Sequence, residues 1–118
     1  MPKYLMSYYA DDMSPPTAEK MQAIAAFGIA QAKAGKLLES GGFLGISQGA
    51  EVKLSSGKFT VADGPFPETK ELIVGYAIVK AKDRADAIEQ ARQFMEIAGD
   101  GWAEIRQMVN PQEEGHGH

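Results

Sequence analysis

Polar and apolar residues alternate with period two in several short segments. Lys3 to Tyr9 is rich in tyrosine and predicts a first strand, and Trp102 to Val109 predicts a last one. Glu51 to Leu54 and Lys58 to Val61 alternate around Ser55-Ser56-Gly57, which predicts a β-hairpin. The sequence therefore contains at least four strands.

The segment Leu72 to Ala81 is apolar on both sides. As a strand, it carries Leu72, Val74, Tyr76 and Ile78 on one face and Ile73, Gly75, Ala77, Val79 and Ala81 on the other. Both faces of this strand are therefore expected to be buried against other parts of the protein or another chain. The face with smaller residues suits close approach of helices, and the face with larger residues needs a different partner.

Two segments have helical periodicity. The first helix is expected to begin at Ser14 as N-cap and to run to about Lys33, with Gly35 at its C-terminal end. Its predicted inward stripe is Met21, Ile24, Ala25, Gly28 and Ala32, and Phe27 falls off this stripe. Asp83 is expected to cap a second helix. Gly99 and Gly101 end that helix.

A glycine-rich run, Gly41 to Gly45, precedes the hairpin. It matches neither the dinucleotide-binding nor the P-loop spacing of glycines, so a strand with glycine kinks is the better interpretation. The order of elements is then β-α-β, a hairpin, and β-α-β. This order predicts an α+β, ferredoxin-like fold: one antiparallel sheet with two helices on one face and a β-hairpin insertion.

Two helices cover only one face of that sheet. Because the Leu72 strand is apolar on both faces, we expect a homodimer whose sheets face each other and close a dimeric α+β barrel. The length of 118 residues allows one domain, predicted over residues 1–109, with a disordered tail over 110–118.

Composition removes several classes of function. The net charge is -4, so there is no basic excess for binding nucleic acid. The chain has no cysteine, which excludes thiolate nucleophiles and Cys-type metal sites. Both histidines, His116 and His118, fall in the predicted tail, so no metal and no cofactor is expected. Without an apolar signal region or a membrane-length stretch, the expected location is cytoplasmic, with no membrane partner.

One motif carries a resemblance. The run Asp63-Gly64-Pro65-Phe66-Pro67-Glu68-Thr69-Lys70-Glu71, followed by Gly75-Tyr76 and a closing Glu104-Ile105-Arg106, resembles the YCII-related family, specifically its DGPF-domain branch. The resemblance covers most of the chain and implies a dimeric α+β barrel with few assigned reactions. It also implies a possible regulatory link, because some members are found beside extracytoplasmic-function sigma factors.

This sequence departs from the family at two points. Pro67 replaces a common alanine of the motif and is expected to stiffen the loop. Some members of the broader group have a histidine–aspartate pair inside the barrel. Both histidines of this chain lie in the tail, so a reaction that depends on that pair does not carry over.

The residues themselves suggest a site with alternatives left open. Asp63 either only shapes a turn or joins a ligand site, and Glu68 and Lys70 are either solvated or line the barrel mouth. Glu104 and Arg106 share one strand face, and the anion that Arg106 needs is Glu104, another carboxylate or a ligand. The predicted ligand-binding residues are Asp63, Glu68, Lys70, Tyr76, Glu104 and Arg106. An anionic or carboxylate-bearing small molecule is the expected ligand.

Three functions fit these observations. The first is a small-ligand-binding or regulatory homodimer with no assigned reaction. The second is an enzyme that uses carboxylate and tyrosine acid–base groups inside the barrel. The third is a pure interaction module whose barrel is packed with apolar side chains. A concave site with converging polar groups distinguishes the first two from the third.

Overall fold

The computed structural model describes residues 1–11, 15–43, 49–63 and 73–109. Within these ranges the elements are, in order, β1 (Lys3–Ala10), α1 (Ala18–Lys33), β2 (Leu37–Gly42), β3 (Ala50–Ser55), β4 (Lys58–Asp63), β5 (Ile73–Lys80), α2 (Arg84–Ala98) and β6 (Gly101–Gln107). The predicted order of strands, helices and hairpin is therefore confirmed.

Four strands form an antiparallel sheet in the order β2-β5-β1-β6. The first strand, β1, is central and pairs with β5 on one side and β6 on the other. This strand order is that of a ferredoxin-like α+β fold, as predicted. Strands β3 and β4 form a separate two-stranded sheet, joined by a tight turn in which Ser56 and Gly57 have φ of 49° and 79°.

Alternation along the strands decides which side chains enter the core. The buried apolar cluster comprises Tyr4, Met6, Ala77, Val79, Ala81, Ala87 and Ala91. It draws on β1, β5 and α2, with Ala103 and Ile105 of β6 packed against it. The small residues of β5 face the helices, as the sequence predicts. The core is thus a single layer between the sheet and the helices.

Helix α1 begins later than expected. Thr17 is its N-cap, and the Thr17 hydroxyl accepts a hydrogen bond from the Lys20 amide at 3.1 Å. The prediction of Ser14 as N-cap is therefore wrong, and Ser14 itself lies outside the described residues. The reason is local, because Pro16 disfavours the helical conformation for Pro15 and so delays the start of the helix.

The inward face of α1 also differs from the prediction. Its half-buried residues include Ile24, Phe27 and Gly28, whereas Met21 is 58% exposed. Phe27 therefore belongs to the inward stripe, and its prediction as an off-stripe residue is wrong. No residue of α1 is fully buried. The contacts of α1 are mainly with α2 and β2. Which side of α1 faces inward therefore depends on these two elements as well as on the apolar pattern of the helix.

The remaining helix ends agree with the sequence. Asp83 caps α2 by accepting a hydrogen bond from the Asp86 amide at 2.9 Å. Gly35 follows α1 with φ of 76°, and Gly99 follows α2 with φ of 106°. Neither helix in the described part of the chain combines the length and apolar character needed to cross a membrane.

Gly101 lies where the backbone of β6 comes very close to that of β1. A Cβ at Gly101 would collide with the carbonyl oxygen of Tyr9 and lie 3.0 Å from the Ala10 Cα, at a φ of 153°. We expect Gly101→Ala to lower the free energy of unfolding by on the order of 2 kcal/mol, measured by chemical denaturation. Gly42→Ala is the control, since its Cβ would make only an ordinary 3.8 Å contact. Equal losses in the two variants would contradict the collision.

Candidate functional site

The face of the four-stranded sheet opposite the helices is named the open face. Its residues are Lys3, Leu5, Ser7 and Tyr9 of β1, Tyr76, Ile78 and Lys80 of β5, Trp102, Glu104 and Arg106 of β6, and Glu39 and Gly41 of β2. The hairpin strands β3 and β4 are exposed along the length that the structure describes. No described helix or strand therefore packs over the open face.

Ser7 lies at the centre of the open face. It pairs with Tyr76 of β5 and with Glu104 of β6, and Leu5 and Tyr9 flank it along β1. Ser7 is only 7% exposed although no element covers it. Since its four neighbours have longer side chains, these side chains account for the burial of Ser7.

Tyr76, beside Ser7, is held in place by contacts with β2 and Phe43. Its hydroxyl donates a hydrogen bond to Glu39 Oε2 at 2.5 Å, and the Phe43 ring stacks on it with centroids 5.8 Å apart. Gly41 lies beneath the ring, where a Cβ would come within 2.9 Å of Tyr76 Cε1. Glycine at this position therefore leaves room for the ring.

The Tyr76 hydroxyl is a donor and not a base at neutral pH. Its pKa is raised because Glu39 accepts a hydrogen bond from the neutral hydroxyl, because the site is partly desolvated, and because the Glu39 charge disfavours a phenolate. On the other side of the face, Tyr9 stacks on Trp102 with centroids 5.0 Å apart and an interplanar angle of 7°.

Three cations share one end of the open face. Lys3 lies directly opposite Lys80, and Arg106 lies opposite Leu5, one position along β1 from Lys3 on the same face. The ion pairs found in the described ranges join Arg92 to two glutamates of α2. Like charges directly opposite each other destabilise a sheet. Lys3, Lys80 and Arg106 are named here the cationic end.

The structure locates half of the predicted site residues. Tyr76, Glu104 and Arg106 lie on the open face, as strand alternation predicts. Asp63 ends β4 opposite Ala50, but its side chain is not described. Glu68 and Lys70 lie outside the described residues. A ligand-binding role for all six stays a prediction.

Sequence reasoning missed other residues of the open face, namely Lys3, Ser7, Glu39 and Lys80. For three of them a signal was available: the i, i+2 alternation that places Tyr76 on one face also places Lys80 there, and Lys3 and Ser7 follow from Leu5 in the same way. Glu39 had no such signal, because an irregularity between Leu37 and Glu39 shifts the register of β2.

A large cleft lies mainly on the other side of the sheet. It has a volume of about 1730 Å³ and runs between α1, α2 and the helix-facing side chains of the strands, and its lining also includes Gly41, Phe43 and Tyr76. Its buried polar groups are already satisfied: the Tyr8 hydroxyl donates to the Gly99 carbonyl at 2.9 Å, and the Gln90 amide donates to the Lys80 carbonyl at 2.8 Å. Small-molecule sites usually span about 300–1,000 Å³. The volume of this cleft lies above that range, so its size by itself does not indicate a small-molecule site.

Two further observations limit the chemistry of the described part. Burial, with Asp11 and Asp100 nearby, raises the pKa of Tyr8, so this hydroxyl is also a neutral donor. The described residues contain no group of three histidine or carboxylate side chains arranged to hold a metal ion.

The Tyr76–Glu39 hydrogen bond can be tested by titration. We expect Glu39→Gln to lower the pKa of Tyr76 towards its ordinary value, because the acceptor charge that opposes the phenolate is removed. Since the folded pKa is raised, the stabilisation is present at neutral pH and is lost as the pH rises through that value. Ultraviolet difference titration measures the shift, and Tyr76→Phe identifies the Tyr76 signal. An unchanged titration in Glu39→Gln would contradict the assignment.

Comparison with curated proteins yields no significant match. The family model for the YCII-related domain matches residues 1–109, which is nearly the whole chain. This match includes every described strand and helix and the open face between them. The chain therefore belongs to the YCII-related domain family.

Proposed function

We propose that the protein is a homodimer that binds a small anionic or carboxylate-bearing molecule on the open face, with no assigned reaction. One observation supports this most directly: Lys3, Lys80 and Arg106 gather at one end of an uncovered face. The guanidinium of Arg106 offers a planar fork of donors that matches a carboxylate, and the two lysines add positive charge.

The dimer follows from the apolar part of the same face. Leu5 and Ile78 lie side by side in the same row of the sheet as Arg106, and Trp102 is 41% exposed. Stacking the open faces of two copies would remove these side chains from water. It would also lower the effective dielectric around Arg106, and so strengthen its attraction to a bound anion.

The arrangement also favours one kind of anion. A carboxylate at the cationic end places the remainder of the molecule over Leu5 and Ile78, which suits an apolar or aromatic body. Glu104 and Glu39 lie on the same face and would repel a second negative charge. The proposed ligand is therefore a monoanion with an apolar body.

The alternatives receive less support. Both Tyr8 and Tyr76 have a raised pKa, so neither supplies a base near neutral pH for the enzyme hypothesis. A solid apolar interior, as a pure interaction module requires, is at odds with Arg106 and Glu104 on the face to be buried.

A regulatory role fits ligand binding at a dimer interface, since a ligand that prefers the dimer shifts the monomer–dimer equilibrium towards the dimer. The DGPF-domain branch is part of this proposal and is supported by the motif at residues 63–71.

The assembly is tested by sedimentation at micromolar concentration. We expect a species of twice the 12.7 kDa chain mass, with an interface above about 1,000 Å². Ile78→Glu should shift it towards the monomer, because a charge then enters the buried face. Ile29→Glu is the matched control, since Ile29 lies on α1 and is 58% exposed. A wild-type chain that sediments only at 12.7 kDa would overturn the dimer.

Ligand binding is tested by calorimetric titration with benzoate. We expect Arg106→Ala to weaken binding at least about tenfold, because a hydrogen bond to a charged group contributes roughly 1.5–3 kcal/mol. Benzamide has the same shape without the charge and should bind far more weakly. Arg84→Ala, on α2, should leave the affinity unchanged. Equal benzoate affinity in wild type and Arg106→Ala would refute the site.

A further inference from the structure

The hairpin of β3 and β4 has one face made of four large apolar side chains. Val52 lies opposite Val61, and Leu54 lies opposite Phe59, so the four share a face, named here the hairpin patch. They are 60 to 72% exposed. The other face is mainly polar, and it carries Lys53 opposite Thr60.

The alternating pattern predicts that the hairpin patch is buried against another part of the protein or another chain. Alternation of apolar and polar residues is typical of a sheet that buries one face and exposes the other. A two-stranded hairpin by itself is only marginally stable in water. No element in the described ranges packs on the patch, because β3 and the described side chains of β4 are exposed throughout.

We propose that the hairpin patch packs against a second copy of this chain and is part of the dimer interface. This inference rests on the proposed homodimer and extends it beyond the open face. Four side chains that are about two-thirds exposed present on the order of 500 Å² of apolar surface. Two copies contribute twice that area, which reaches the roughly 1,000 Å² that a stable interface needs.

The position of the hairpin in the fold also favours a second copy as its cover. The chain leaves β2, an edge strand of the sheet, at Phe43, whose ring stacks on Tyr76 of the open face. Phe43, the last described residue before the hairpin, therefore contacts the face on which the second sheet is proposed to lie. The same twofold operation would bury the hairpin patches of both copies.

The test uses single cysteines, because the chain contains none. Leu54→Cys reports on the hairpin patch, and Lys53→Cys is the matched control on the opposite face of the same strand. Each variant is reacted with a polar maleimide at a concentration where sedimentation shows the dimer, and again after dilution to the monomer. We expect Leu54→Cys to react at least about tenfold more slowly than Lys53→Cys in the dimer, and equally fast after dilution.

Equal reaction rates of the two cysteines in the dimer would overturn the proposal. Protection of Leu54→Cys that persists in the monomer would also overturn it, since another segment of the same chain would then cover the patch.

Phe59→Lys adds an independent measurement, with Thr60→Lys as a control of equal charge. We expect Phe59→Lys to raise the dimer dissociation constant at least about tenfold and Thr60→Lys to leave it nearly unchanged. Equal effects of the two lysines would also count against the patch.

The two proposals can fail separately. Glu104→Cys reports on the open face in the same maleimide experiment. Protection of Glu104→Cys with a freely reactive Leu54→Cys would keep the sheet-to-sheet dimer and reject the hairpin contact. Protection of Leu54→Cys alone would support the hairpin contact and reject the open-face dimer. Benzoate titration reads the ligand site independently of the hairpin contact.

Discussion

The pairing of β1 with both β5 and β6 is the constraint on which the rest of the structure depends. As the central strand, β1 has to send alternate side chains to opposite faces. Tyr4 and Met6 enter the core beneath the helices, and Leu5 and Ser7 consequently lie on the face that no described element covers. The core and the candidate site are thus the two sides of one strand.

This constraint links stability to function. A slip of one residue in the pairing would exchange the faces, placing Lys3 and Ser7 under the helices and Tyr4 and Met6 on the open face. The close approach at Gly101 helps to hold the register, because the backbone of β6 meets that of β1 without an intervening side chain. The positions of Arg106 and Glu104 on the open face depend on the same register.

Most of the architecture could be predicted from the sequence, because local chemistry decides it. Alternation located the hairpin and the two faces of β5, and Asp83 marked the start of α2. The start of α1 was open to prediction from Pro15-Pro16 but was placed too early. The rotation of α1 could not be predicted, since its inward stripe includes Phe27 and the polar Lys20 and depends on what the helix contacts.

The candidate site was only partly predictable for a different reason. Strand parity correctly placed Tyr76, Glu104 and Arg106 on one face. The cationic end, however, joins Lys3 and Lys80 from distant parts of the chain. Only the antiparallel register between β1 and β5 brings these two lysines together. The contact between Tyr76 and Glu39 likewise depends on the irregular pairing of β2.

The weak burial of α1 gives the domain an uneven mechanical character. The buried cluster is built from β1, β5 and α2, so these elements form a unit whose opening requires the loss of the core. Helix α1 contributes no buried residue to this cluster. Helix α1 is therefore expected to be a unit whose local unfolding has a lower free energy than that of the β1, β5 and α2 unit. Its backbone amides are then the helical amides that exchange first, while the strand that carries Ser7 stays closed.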